Sequence, residues 1–142
     1  MVIRYMLDTD ACIALIKRRP ETMRSRLCRL SPEEVGISGI VAAELWFGVE
    51  HSRKKRQNAG ALKDFLNYVT LLDWPWEACP LYGKIRTGLQ KRGTPIGAMD
   101  LLIGSHALFL NAVLITNNTR EFERIPDLQI ENWVVMSRNE TL

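Results

Sequence analysis

The chain has 142 residues, 46% hydrophobic and 25% charged, which suits one globular domain with a sizeable core and excludes a disordered or fibrous chain. A net charge of +3 and a pI near 8.9 are mildly basic, far from a histone-like polycation. Cys12, Cys28 and Cys79 are scattered and form no C-x-x-C pair, which argues against a zinc site or disulfide framework and leaves them as small buried residues in a reducing compartment.

In chain order, Val2 to Leu7 reads as a short buried strand ending at Asp8. Thr9 or Asp10 is placed to cap a helix through "ACIALIKR" that stops before Pro20, and a second helix covers Glu21 to Arg29. "EVGIS" is a strand with Ser38 as the next cap. "IVAAELWFGVEHS" is helical, and Gln57 to Tyr68 continues as helix after a break near "RKKR". "VTLLDW" is a strand, Trp76 to Arg92 a helix and "RGTP" a turn. Helix resumes at Gly97 or Ala98 and ends near Asn111. "AVLIT" is a strand ending at Thr116, "TREF" a helical turn and "LQIENW" a last strand.

Apolar strands alternating with helices predict an α/β domain, a parallel sheet covered by helices, spanning residues 1–142 as one unit. No basic–apolar–cleavage pattern marks a signal peptide at the start. The apolar run after Pro95 is interrupted by Asp100, Ser105, His106 and Asn111, which argues against a membrane span. A cytoplasmic protein is the expectation.

Three carboxylates stand in surroundings too apolar for them. Asp8 closes "VIRYML". Glu44 is the single charge between Gly36 and Val49, and Asp100 is the single charge from Thr94 to Thr116. Buried carboxylates must be paired, neutralised or bound to metal. On a helix, Glu44 shares a face with Ile40, Phe47 and Gly48, and Asp100 with Ile103, Gly104 and Ala107, leaving no cation on the same face. Gly48, Gly97 and Gly104 give room for close approach by backbone or ligand, or serve packing. A hard divalent cation resolves the repulsion between gathered carboxylates. Mg²⁺, with Mn²⁺ as an alternative, takes oxygen ligands and keeps waters. Such an ion orients a water and neutralises the charge developing on a phosphodiester. Asp8 and Glu44 with Asp100 are the candidate catalytic acids, and Asp8 and Asp100 the metal ligands. Asn118 offers a hydrogen bond to metal-bound water or phosphate, or simply a turn. Glu121 is a candidate fourth acid. Thr9, Ser38 and Thr116 are candidates to orient these groups by hydrogen bonds, with capping and strand-end roles as plainer explanations. Asp10, two residues from Asp8, is assigned to capping, with a supporting contact to the site as its second role.

Basic residues cluster at 17–29, where six oppose one acid, at "RKKR" (53–56) and at "KIRTGLQKR" (84–92). Solvated helix faces explain any one run. Three runs beside embedded acids fit a protein that approaches a polyanion. His51 reads as a surface residue and His106 as a core or rim residue, with nothing linking them as an acid–base pair. Trp46, Trp74, Trp76 and Trp133 read as core or subunit contacts. Trp46 and Phe47 are adjacent on one helix and cannot both face one core, so one of them suits an interface.

"MLDTDACIALIK", "ISGIVAAELWFGV", "GTPIGAMDLLIGSHAL" and "VLITNNTREFERIPDLQIENW" resemble, in order, the motifs of PIN-domain ribonucleases, and especially the VapC toxins of toxin–antitoxin pairs. The likeness covers nearly the whole chain. It implies a central parallel sheet with helices on both faces. It implies Mg²⁺-dependent RNA cleavage with Asp8, Glu44 and Asp100 in the acidic site. It also implies a VapB-type antitoxin that inserts a segment near that site, a toxin homodimer and a toxin–antitoxin hetero-oligomer. The members this chain most resembles cut initiator tRNA in the anticodon stem-loop. Two departures stand out: Asp10 where the family often has Asn, and Asn118 where many members have a fourth Asp, which puts a second metal in doubt. "MLDTD" and "VLIT" also resemble haloacid-dehalogenase-type phosphatases, but the 26 residues after Thr116 contain no lysine that such an enzyme needs. The remaining alternative is a catalytically silent module of the same fold that docks RNA or protein.

Overall fold

The computed structural model describes residues 2–134. Five short strands, β1 (Tyr5–Leu7), β2 (Val35–Ser38), β3 (Thr70–Leu72), β4 (Val113–Ile115) and β5 (Ile130–Glu131), form one parallel sheet in the order β3-β2-β1-β4-β5. Tyr5 pairs with Val35 on one side and Val113 on the other, so β1 is central. Met6, Leu7, Val35, Ile37, Leu114 and Ile115 are buried, as expected for strands covered on both faces.

The helices are α1 (Thr9–Lys17), α2 (Glu21–Cys28), α3 (Gly39–His51), α4 (Lys55–Phe65), α5 (Cys79–Lys91), α6 (Ala98–Phe109) and α7 (Thr119–Phe122). The connections from β1 to β2 and from β2 to β3 step the same way across the sheet and carry α1 to α4. The connection from β3 to β4 steps back and carries α5 and α6. Right-handed crossovers therefore set the two groups on opposite faces. The step direction reverses beside β1, so the carboxyl ends of β1 and β4 flank the crevice where open α/β sheets bind ligands.

Several expectations need correction at their edges. Strand pairing starts at Tyr5, not Val2, which is 75% exposed. The last strand is only Ile130–Glu131, because it pairs with a β4 of three residues. Of the cysteines only Cys12 is buried; Cys28 and Cys79 are exposed. On α3, Val41 and Leu45 are buried and Ile40, Ala42 and Val49 pack against the core, whereas Trp46 and Phe47 are both exposed. Trp133 is a core residue, edge-on to Tyr5 at 5.5 Å between centroids, with the Arg26 guanidinium over its ring. Trp74 is half-buried and donates to the Leu102 carbonyl at 2.8 Å, and Trp76 lies on the surface. Gly104 serves packing: a Cβ there would stand 2.4 Å from Ile125 Cδ1, so only hydrogen lets α6 settle onto the segment after α7. His51 is exposed and His106 buried, as their surroundings in the sequence suggest.

Candidate metal centre

β1 ends at Leu7 and α1 begins at Thr9, so Asp8 alone occupies the joint. Its extended backbone lets its carboxylate accept from Ala11 N at 2.8 Å. Asp8 is therefore the cap of α1, and the assignment of that role to Thr9 or Asp10 is corrected. The lack of any loop between strand and helix leaves no other residue in capping geometry. Strand end and helix start together aim a 4%-exposed carboxylate at the crevice.

Asp100 lies in the first turn of α6, half-buried. The α6 N-terminus has Gly97 at its cap and no capping side chain of its own. Glu121 fills that role from α7: its Oε1 accepts from Gly97 N at 3.2 Å, and its other oxygen accepts from Asn118 Nδ2. Glu121 also stands close enough to Asp100 to oppose the ionisation of its carboxyl. Glu44 reaches in from α3 and accepts from Thr9 Oγ1 at 2.5 Å. Thr116, fully buried at the end of β4, hydrogen-bonds Asp8 and accepts from Asn118 N at 2.9 Å.

A cavity of about 230 Å³ results, lined by Asp8, Thr9, Asp10, Glu44, Asp100, Asn118 and Phe122. The structure thus gathers the three candidate acids with Thr9 and Asn118, and holds Thr116 and Glu121 against them. Ser38 caps α3 by accepting from Ile40 N at 3.2 Å; the β1–β2 register carries it beside Asp8, but no hydrogen bond joins it to the acids among the described residues. Asp10, read from the sequence chiefly as a cap, forms part of the wall instead. One lining residue, Phe122, was missed by sequence reasoning. Phe122 supplies the apolar floor, and its only signal was the spacing of "TREF" after a strand end. A larger cavity of about 480 Å³ lies elsewhere, between α1, α2 and α4; Arg18, Arg24 and the lone acid Asp64 stand there around Leu15, Leu27 and Phe65, so it gathers no group of carboxylates.

The electrostatics follow from burial and crowding. Burial pushes the Asp8 carboxyl up to about 6, with Asp10 and Glu44 adding repulsion, while the bonds from Thr116 and Ala11 pull the other way. Asp100 is pushed up to about 7 by burial first, then by Glu121, Glu44 and Asp8. None of these influences comes from a basic side chain. Among the described residues no three His, Cys, Asp or Glu side chains form a ready-made metal cage. That suits a hard cation that keeps much of its water and touches one or two carboxylates, rather than a caged structural metal. The cavity has room for several waters at about 30 Å³ each. Oxygen donors without imidazole or thiolate, carboxyls lifted by one another and no basic partner fit a divalent cation of this class.

The basic runs are partly structural. Arg26 pairs with Glu131, which also accepts from Trp133 Nε1. Lys55 pairs with Glu50, and Arg92 and Arg124 donate to main-chain carbonyls. Lys17, Arg18, Arg19, Arg53, Lys54, Arg56, Lys84 and Lys91 are exposed.

Residues 5–128 match the PIN domain. A protein named ribonuclease VapC2, from Rickettsia felis, is 45% identical over 130 residues, covering 91% of this chain and 97% of its own. This chain belongs to the PIN-domain family, among its VapC members. A Salmonella typhimurium protein named tRNA(fMet)-specific endonuclease VapC is 39% identical over 132 residues, covering 93% of this chain and 99% of its own. The solved VapBC complex of S. typhimurium bound to DNA superposes with a TM-score of 0.87 at 39% identity, over 93% of this chain and 99% of that one. The VapBC2 complex of R. felis, bound to a fragment of its promoter, gives 0.85 at 41% identity, over 92% and 99%. The expected PIN fold is borne out, and with it a ribonuclease of the hydrolase class.

Proposed function

We propose that this chain, as a single PIN domain over residues 1–142, is the toxin of a type II toxin–antitoxin pair. It hydrolyses RNA with Mg²⁺, and its substrate is initiator tRNA, cut in the anticodon stem-loop. The cavity in which Asp8, Glu44 and Asp100 converge at the switch point carries this reading. The name of the S. typhimurium relative supports the substrate.

Asp8 and Asp100 would hold the cation. When bound, the ion supplies positive charge to the scissile phosphate and acidity to a water. Glu44 orients the attacking water and accepts its proton. The water oxygen bonds to phosphorus as the bond to the 3′-oxygen breaks, and that oxygen takes a proton from solvent, leaving a 5′-phosphate and a 3′-hydroxyl. Asn118 and Glu121 fix the rim. Exposed Lys17, Arg18, Arg53 and Lys54 are available for backbone phosphates, and the shape of the stem-loop selects the cut.

A VapB-type antitoxin is the proposed partner. An apolar groove of about 330 Å³ between α1, α3 and α4, lined by Ile13, Ile16, Leu45, Val49 and Leu62, opens at Glu44 and suits a partner segment that reaches the acids. Exposed Trp46 and Phe47 suit a homodimer contact. The proposed site of action is the cytoplasm, where its RNA substrate is; no helix among the described residues is long and apolar enough to cross a membrane.

Purified chain incubated with bacterial tRNA tests the reading. Mg²⁺ should yield one product pair, EDTA should abolish it, and Asp100→Asn should lack it. A 2′,3′-cyclic phosphate end refutes hydrolysis by water. No cleavage by folded chain favours the binding-module alternative.

A further inference from the structure

We propose that Thr9 is a positioning residue that holds Glu44 in its working rotamer, a role that rests on the nuclease reading above. Thr9 opens α1, but its hydroxyl is not spent on the helix, because Asp8 already accepts from Ala11 N. The hydroxyl instead donates across to α3, with Oγ1 and Glu44 Oε1 2.5 Å apart and the two residues 35 positions apart in sequence. Among the described residues no hydrogen bond reaches the other Glu44 oxygen.

Glu44 needs such a tether because of where it stands. It lines both the acidic cavity and the apolar groove between α1, α3 and α4. On the cavity side Asp8 and Asp100 repel its carboxylate. On the groove side Lys17, which also lines the groove, attracts it. Charge alone therefore draws Glu44 outward, away from the place where it would meet a water. Its side chain turns about three torsions, whereas Thr9 is β-branched and stiff at χ1 and sits on the rigid start of a helix. A stiff donor on α1 thus fixes a flexible acceptor on α3. The hydroxyl need touch neither substrate nor cation to do this.

The test compares Thr9→Val, which keeps the branched shape and removes the donor, with Thr9→Ser, which keeps the donor. With Mg²⁺ and tRNA, Thr9→Val should lower kcat about 10- to 100-fold, the range for losing a group that orients a catalytic ligand. KM should change little, and Thr9→Ser should recover most of the rate. A readout independent of catalysis is urea unfolding in EDTA for wild type, Thr9→Val, Glu44→Ala and the double variant. The unfolding equilibrium constants should be non-additive by about tenfold. Unchanged kcat in Thr9→Val, no recovery in Thr9→Ser, or an additive cycle overturns the proposal. If wild type cleaves no RNA, the nuclease reading fails, and the unfolding cycle still decides whether Thr9 tethers Glu44.

Discussion

Replacing Asp8 by Asn tests whether the acidic site strains the metal-free protein. Asp8 is almost fully buried, and its carboxyl is lifted from 3.8 to about 6. A raised folded-state value means that the folded chain holds the proton more tightly than the unfolded chain. The corresponding stability is complete below pH 3.8 and is lost as pH rises through about 6. At about 1.4 kcal/mol per pH unit, the ionised carboxylate costs the folded state about 3 kcal/mol at pH 8. Asparagine removes that charge and keeps the shape. Its oxygen still accepts from Ala11 N, and its amide faces the Thr116 hydroxyl, which has a lone pair to spare. Allowing for a weaker cap, a gain of about 1–3 kcal/mol remains. For a chain of this size that raises Tm by roughly 3–9 °C. Calorimetry in EDTA at pH 8 should show this rise, and at pH 4 the two proteins should melt together. Added Mg²⁺ should raise Tm of the wild type and leave Asp8→Asn nearly unmoved, because only the former binds the ion when folded. An Asp8→Asn protein with native circular dichroism but equal or lower Tm at pH 8 would refute the reasoning.

Gly104→Ala should lower stability by about 1–3 kcal/mol, since its new methyl meets Ile125 Cδ1. Adding Ile125→Val removes that methyl and should return part of the loss in urea titrations, so a purely additive double variant would contradict the packing account. His106 is buried with no partner for Nδ1 among the described residues, and burial lowers its value to about 4. Its contribution is present above pH 6.5 and lost as pH falls toward 4, opposite in sign to that of Asp8. The urea midpoint of His106→Phe should therefore fall less than wild type between pH 6.5 and 4, and equal slopes would show that His106 does not carry the effect.

Much of this protein was legible in its residues. Strand and helix alternation, the parallel sheet and the three acids all rest on local facts: apolar runs, helical spacing and charges isolated in apolar stretches. A carboxylate with no cation in its apolar strand end or on its own helix face must be answered from elsewhere in the fold, which is why Asp8, Glu44 and Asp100 stood out. Other features were hidden because they depend on pairs distant in sequence. Glu121 completes the α6 N-terminus, Gly104 yields space to Ile125, and Phe122 floors the cavity.

What the chain determines by itself is which residues are too costly to bury alone, and so which ones must meet. Tertiary structure alone decided how they meet. It made Asp8 both strand end and helix cap, because β1 runs into α1 with no loop between. It spent the Ser38 hydroxyl on the start of α3, with no hydrogen bond to the acids among the described residues. It set Thr9 against Glu44 across 35 residues, since a hydrogen bond depends on distance in space and not along the chain.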